Sequence, residues 1–232
     1  MPGPADRPHA LASVPLFAAL PTRVLDDLER ATVVRHYPQG QVLCHAGDAG
    51  DHLIVLEAGQ LRVSRYTPAG TEAVLSVVDP PAALGELALL DGAPRSATIT
   101  AQRAVTVRLV PRRVFLDLMR REPAVMEGLL RTLAEMIRAA NERHEDMLGL
   151  DVPGRLAKWL LRQAGRGDWT NGVETGAVVT IQRSQSELAA EVGTTRPTLN
   201  RALHDLAALG IVAIDGNRVT IQKPDALRAY LA

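Results

Sequence analysis

Three textures of hydrophobic patterning follow one another along the 232 residues. Met1 to Ala12, rich in Pro and Ala, reads as a mobile tail (residues 1–12). Leu20, Val24, Leu25 and Leu28 then recur at helical spacing, predicting a helix over Pro15 to Ala31. From Val33 to Val110 short Val, Leu and Ile runs are separated by turn residues such as Pro38-Gln39-Gly40, Gly47-Asp48 and Asp79-Pro80-Pro81. Turn signals about every ten residues predict an antiparallel sandwich or roll. Ile54-Val55-Leu56, Gly59 and Leu61-Arg62-Val63-Ser64 read as a hairpin, and Thr98-Ile99-Thr100 and Val105 to Leu109 as closing strands.

Beyond Pro111 the period becomes helical. Met126, Leu130, Leu133, Ile137, Ala140, His144 and Met147 fall at alternating steps of four and three, an a/d seam. At about 1.5 Å per residue it runs roughly 32 Å. Such a stripe serves either packing within one domain or a two-helix dimer. Its narrowness favours the dimer, because packing within a domain needs a wider apolar face. His144 then reads as an interface histidine rather than a ligand. Gly149-Leu150 reads as a hinge, and Asp151 as the N-cap of a helix to about Gln163 with Pro153 in its first turn.

The last segment reads as strand, two helices and a hairpin. Ser184 with Glu187 forms a capping-box signature, Gly193 stops that helix, and Thr195 caps a second from Arg196 to about Leu209. Leu188, Val192, Leu199 and Ala202 supply the contacts of a helix-turn-helix. Asp215-Gly216-Asn217 between two β-rich runs adds a hairpin, the wing of a winged helix. On the second helix Arg196, Asn200 and Arg201 share a front with Thr195 and Thr198. An Arg fork suits guanine and an Asn amide suits adenine, while hydroxyls suit phosphates, so this face predicts double-stranded DNA as partner.

Charge modifies this only slightly. The 26 basic and 26 acidic residues cancel, yet residues 1–150 carry 16 against 18 and residues 151–232 carry 10 against 8. The sign suits a basic C-terminal module. One cysteine, Cys44, excludes an iron–sulfur cluster or a zinc site built from several thiolates, and no metal is expected. No apolar run reaches the roughly 18–20 residues of a membrane span, so no membrane partner is expected and a cytoplasmic setting follows. No nucleophile–base set or phosphate-binding Gly-Lys loop is present, which argues against an enzyme.

Residues 85–97 carry the remaining chemistry. Gly85-Glu86 at one end and Pro94-Arg95-Ser96-Ala97 at the other, around a short apolar turn, suit a ribose hydroxyl and a phosphate. Glu86 and Arg95 could equally form a structural ion pair.

Gly85-Glu86-Leu87-Ala88 with Pro94-Arg95-Ser96-Ala97 resembles the phosphate-binding cassette of cyclic-nucleotide-binding domains. Leu150 to Arg155 resembles the hinge and helix entry of CRP/FNR-superfamily regulators, and Gly193 to Arg201 their recognition helix. The resemblance implies an α+β chain: a cyclic-nucleotide-binding β-roll (jelly roll) over 13–122, a dimerisation helix and hinge over 123–150, and a winged helix-turn-helix over 151–232. It implies a homodimeric transcription regulator, controlled allosterically by a cyclic nucleotide, with cAMP favoured and cGMP possible. Gly85, Glu86, Leu87, Ala88, Arg95, Ser96, Ala97 and Asn141 would bind the nucleotide, Glu86 at the ribose and Arg95 with Ser96 at the phosphate. Arg183, Thr195, Arg196, Thr198, Asn200 and Arg201 would contact a palindromic operator. RNA polymerase is an implied partner, with the loop Gly165 to Gly176 at the place of a polymerase contact.

The chain also departs from the pattern. Ala140-Asn141 stands where cAMP-responsive members carry Thr-Ser, and Pro197 replaces a base-reading Glu. A regulator that binds DNA without cyclic nucleotide, or senses another effector, is the alternative. A haem sensor using Cys44, His45 or His52 is disfavoured, since Cys44 sits in an apolar strand.

Overall fold

The computed structural model describes residues 10–66, 70, 72–165, 172–181 and 184–231. It divides into two compact units, residues 1–137 and 138–232.

In the first unit a 3-10 turn, Ala10–Ser13, precedes α1 (Thr22–Arg30). The predicted helix over Pro15 to Ala31 is therefore shortened at its start. Pro21, at φ −59° and ψ 145°, immediately precedes α1, and a proline disfavours helical geometry in the residue before it. Leu11, assigned to the tail by the sequence, is buried with Phe17, Leu25 and Leu28. Eight strands follow: β1 (Val33–Tyr37), β2 (Val42–Cys44), β3 (His52–Ala58), β4 (Leu61–Tyr66), β5 (Glu72–Val78), β6 (Ala82–Leu84), β7 (Thr98–Ala101) and β8 (Val105–Pro111). They form two antiparallel sheets, ordered β1-β8-β3-β6 and β2-β7-β4-β5.

That order corrects the expected hairpin of β3 with β4. β3 pairs with β6 and β8, β4 with β5 and β7, so the turn between them carries the chain from one sheet to the other. Gly59 makes the corner, at φ +88°, where a Cβ would lie 2.1 Å from the Ala104 carbonyl oxygen. Only glycine fits that approach. The layering also explains the unbroken apolar run of β3. Ile54 and Leu56 face the roll interior with Leu61, Ile99 and Val107, while Leu53 and Val55 face a second cluster with Phe17, Leu89 and Phe115. Arg108, buried on β8, ties the layers together through Glu57 on β3 (2.6 Å) and Glu29 on α1 (3.0 Å).

Between β6 and β7 lies α2 (Glu86–Asp91), and after β8 come α3 (Arg112–Arg121) and α4 (Pro123–Gly149). Val125 and Leu129 of α4 are buried against the first unit's core. The last turns of α4 belong to the second unit, with α5 (Val152–Gly165), β9 (Val178–Thr180), α6 (Gln185–Val192), α7 (Arg196–Ala208), β10 (Val212–Asp215), β11 (Arg218–Ile221) and α8 (Pro224–Arg228). A three-stranded sheet, β10-β11-β9, forms the wing. Leu156, Leu160, Leu188, Leu199, Leu203 and Val219 make this unit's core. The capping box of Ser184 and Glu187 and the Thr195 cap form as the sequence predicts.

Candidate nucleotide and nucleic-acid sites

The first site is built around a left-handed glycine. Gly85, at φ +85°, ends β6 and turns the chain into α2, whose first residue is Glu86. The loop after α2 returns as Arg95, whose amide donates to the Asp48 carbonyl (2.8 Å). The Arg95 side chain runs inward and is 4% exposed. Its Nη1 donates to the Gly85 carbonyl (2.9 Å) and its Nη2 to the His52 carbonyl (2.6 Å), while Nε is buried without a partner. A Cβ on Gly85 would lie 2.1 Å from Nη1, so glycine is required for the guanidinium to sit there.

Glu86 is 8% exposed. Burial pushes its carboxyl above the usual carboxylate range, against the backbone amides of Glu86 and Gly85 and the Arg95 charge, which pull it down. No ion pair joins Glu86 to Arg95, whose Nη atoms serve carbonyls instead. The structural ion pair left open by the sequence is therefore not formed. Burying a guanidinium and a carboxylate without pairing them is costly, and such groups mark a binding site more often than a structural one. An orphaned guanidinium N–H and a buried carboxylate held only by backbone amides match an anion that carries a hydroxyl. The residues present fit a cyclic nucleotide. Ser96 is exposed at the rim; Ala88 is buried against Gly50, where an added Cβ would lie 2.4 Å from Ala88 Cβ; Leu87 is exposed. Cys44 is buried in the roll and burial raises its thiol, so it stays protonated and is a poor metal ligand. Asn141 lies exposed on α4 in the second unit.

Seam residues are largely uncovered. Leu130 is 58% and Ile137 61% exposed, and Met126, Ala140, His144 and Met147 are exposed as well; Leu133 is half-buried. Met147 also reaches Gly193, where an added Cβ would lie 2.8 Å from its methyl.

The second site rests on α6 and α7. Gly193, at φ +73°, makes the turn between them. Arg196, Thr198 and Arg201 are exposed and Asn200 half-buried on α7. Thr195 and Thr198 hydroxyls bond each other at 2.9 Å. Arg183 lies outside the described residues, as do residues 166–171 of the loop Gly165 to Gly176.

Three residues escaped the sequence reading. Arg155 on α5 donates to the carbonyls of Leu150 (2.6 Å), Val192 (2.8 Å) and Gly193 (3.2 Å), joining the end of α4 to the helix-turn-helix turn. Lys158 bonds Asp146 (2.6 Å) and Glu142 (3.0 Å), strapping α4 onto α5. Burial alone would lower the Lys158 ammonium, but those two carboxylates outweigh it and raise it, while the Lys158 hydrogen bond holds Glu142 below its ordinary range. Gln185 accepts from Arg196 Nε (3.2 Å) and Asn200 Nδ2 (3.1 Å). Each is an ordinary surface residue in sequence, and only the helix crossing brings its partners within reach.

A β-roll with a buried carboxylate and guanidinium at its glycine corner and a winged helix-turn-helix together define a DNA-binding transcription regulator with a sensor-type domain. Residues 34–122 match the cyclic nucleotide-binding domain family and residues 154–230 the Crp-like helix-turn-helix domain. The chain is 32% identical over 218 residues, 94% of its length and 96% of the relative's, to the CRP-like cAMP-activated global transcriptional regulator of Mycobacterium tuberculosis. It is 31% identical over 209 residues, 90% and 93% of the two lengths, to the cyclic AMP receptor protein of Thermus thermophilus. The crystal structure of the Thermus thermophilus catabolite activator protein superposes with TM-score 0.54 at 30% identity, covering 94% of this chain and 98% of that one. The chain belongs to the CRP/FNR superfamily of transcription regulators. No helix among the described residues is long and apolar enough to cross a membrane.

Proposed function

We propose that the chain works as a cytoplasmic homodimer whose affinity for a palindromic operator is switched by a cyclic nucleotide, cAMP in preference to cGMP. It acts by binding, without catalysis. The observation that carries this reading is the buried Arg95 with its orphaned Nε, set at Gly85 with the buried Glu86 and forming no ion pair with it. Arg95 and Ser96 would hold the cyclic phosphate, and Glu86 would accept from the ribose hydroxyl. Gly85, Leu87, Ala88 and Ala97 frame the cassette, and Asn141 offers an amide to the base. Dimerisation through the exposed apolar seam of α4 would place two copies of α7 in successive major grooves. There Arg196, Asn200 and Arg201 read bases, while Thr195, Thr198 and Arg183 hold phosphates. RNA polymerase is the further partner, met through the loop Gly165 to Gly176. We place the roll at residues 13–122, the dimer helix and hinge at 123–150 and the DNA-binding domain at 151–232.

Calorimetric titration with cAMP and with cGMP tests the switch. Micromolar binding by the intact protein, lost in Arg95→Ala, is the expected result; no binding of either nucleotide overturns it. One observation favours a second reading, in which DNA binding is independent of cyclic nucleotide or answers another effector: Ala140 on α4 is exposed and offers no polar group to a base. Tight operator binding by nucleotide-free protein is the result that reading requires.

A further inference from the structure

We infer that Gln185 is a positioning residue that fixes the orientation of Asn200 and Arg196, and thereby sets which base edges α7 accepts. The inference rests on the proposal that these two side chains read bases.

Gln185 is the first residue of α6. The helix start does not need its side chain, because Ser184 and Glu187 satisfy each other: the Ser184 amide donates to Glu187 Oε2 (2.7 Å) and the Ser184 hydroxyl accepts from the Glu187 amide (3.3 Å). The Gln185 side chain instead crosses to α7, where Oε1 accepts from Arg196 Nε (3.2 Å) and from Asn200 Nδ2 (3.1 Å). Arg196 and Asn200 are one turn apart on the same face.

The polarity of this bridge is dictated by chemistry. A guanidinium has only donors, so the Gln185 atom that meets Arg196 Nε is the oxygen. An oxygen cannot donate, so the Asn200 atom that meets it is the nitrogen. One arginine therefore settles two amide orientations in sequence. Asn200 keeps Oδ1 and its second N–H for another partner, a one-acceptor, one-donor set that matches the adenine edge. Arg196, held at Nε, keeps its two Nη groups as a fork. Without the bridge the Asn200 amide can turn over and exchange donor for acceptor, and the fork can swing. Discrimination between bases should then fall further than affinity does.

The test is selection from a randomised double-stranded DNA pool by full-length protein, with and without saturating cAMP, followed by comparison of base preferences position by position. Asn200→Ala should flatten the preference at one base pair of each half-site. Gln185→Ala should weaken the same preference, and that of the pair read by Arg196, by about three- to tenfold. It should have little further effect in an Asn200→Ala background at the Asn200 pair. Gln185→Glu keeps an acceptor for both donors but adds a negative charge near phosphates. It should preserve the preferences while weakening binding uniformly and altering its salt dependence. If Gln185→Ala retains every wild-type preference while Asn200→Ala loses one, the positioning role is wrong and base reading by α7 stands. If Asn200→Ala and Arg196→Ala also retain them, base reading by this face fails and the inference falls with it. Matching thermal melts show that changes in preference do not come from unfolding.

Discussion

Replacing Gly85 by Ala separates a strained backbone from a displaced guanidinium. At φ +85° an L-residue carries a penalty of about 1–2 kcal/mol. The new Cβ would lie 2.1 Å from Arg95 Nη1, so the guanidinium must retreat by about 1.5 Å to reach ordinary contact. It then gives up its bonds to the Gly85 and His52 carbonyls. Each hydrogen bond to a charged group is worth about 1.5–3 kcal/mol, partly recovered when water replaces the carbonyls. A net loss of about 2–4 kcal/mol in folded stability follows. Misplacing the proposed phosphate partner by that distance should cost a further 2–3 kcal/mol of nucleotide binding, roughly a 30- to 150-fold weaker Kd. Gly92→Ala is the matched control. Gly92 has φ +72° with nothing within 4 Å of an added Cβ, so it bears the backbone penalty alone and should bind nucleotide as wild type does. Calorimetric titration of both variants with cAMP, alongside their thermal melts, reads the two effects apart. Wild-type affinity in Gly85→Ala, or an equal loss in both variants, would refute the placement of Arg95.

Other perturbations probe the remaining features. Because burial raises the Glu86 carboxyl above its unfolded value, its ionised form opposes folding above that raised pKa, and the opposition fades as pH falls through it. Glu86→Gln should therefore melt higher than wild type in alkaline buffer, by a margin that shrinks as pH falls toward the ordinary carboxylate value, and should bind cAMP more weakly; a constant margin across pH counts against this account. Arg155→Ala leaves three carbonyls without their donor and should lower the second unit's stability by about 2–4 kcal/mol, read by denaturant titration, together with its DNA affinity. Ile137→Glu puts a charge into the proposed seam and should give a monomer by sedimentation at micromolar concentration; an unchanged dimer would place the interface elsewhere.

Local rules exposed much of this molecule. The caps at Ser184 and Thr195, the Asp-Gly wing and the a/d stripe on α4 each depend on neighbours within a few residues, and sequence spacing reports such neighbours directly. The misread elements depend on distant ones. Nothing in Ile54 to Ser64 says that β3 and β4 join different sheets, because the strands they pair with, β6 and β8 for one and β5 and β7 for the other, lie further along the chain. The cassette shows the same division. Glu86 and Arg95 stand out by residue type, but whether they pair with each other was decided by the Gly85 and His52 carbonyls. Gln185 and Arg155 act across helix crossings, for which a single sequence carries no period.

The Arg155 clamp has a mechanical consequence. Its three bonds fasten the end of α4 and the turn before α7 to one side chain, linking points as far as 38 residues apart in sequence. Lys158 and Arg162 add two more fasteners, to Asp146 and Glu142, along the same flank. Because several bonds share this flank, the end of α4, α5 and the turn before α7 hold together as one piece, and no single broken bond frees the turn from the helix before it.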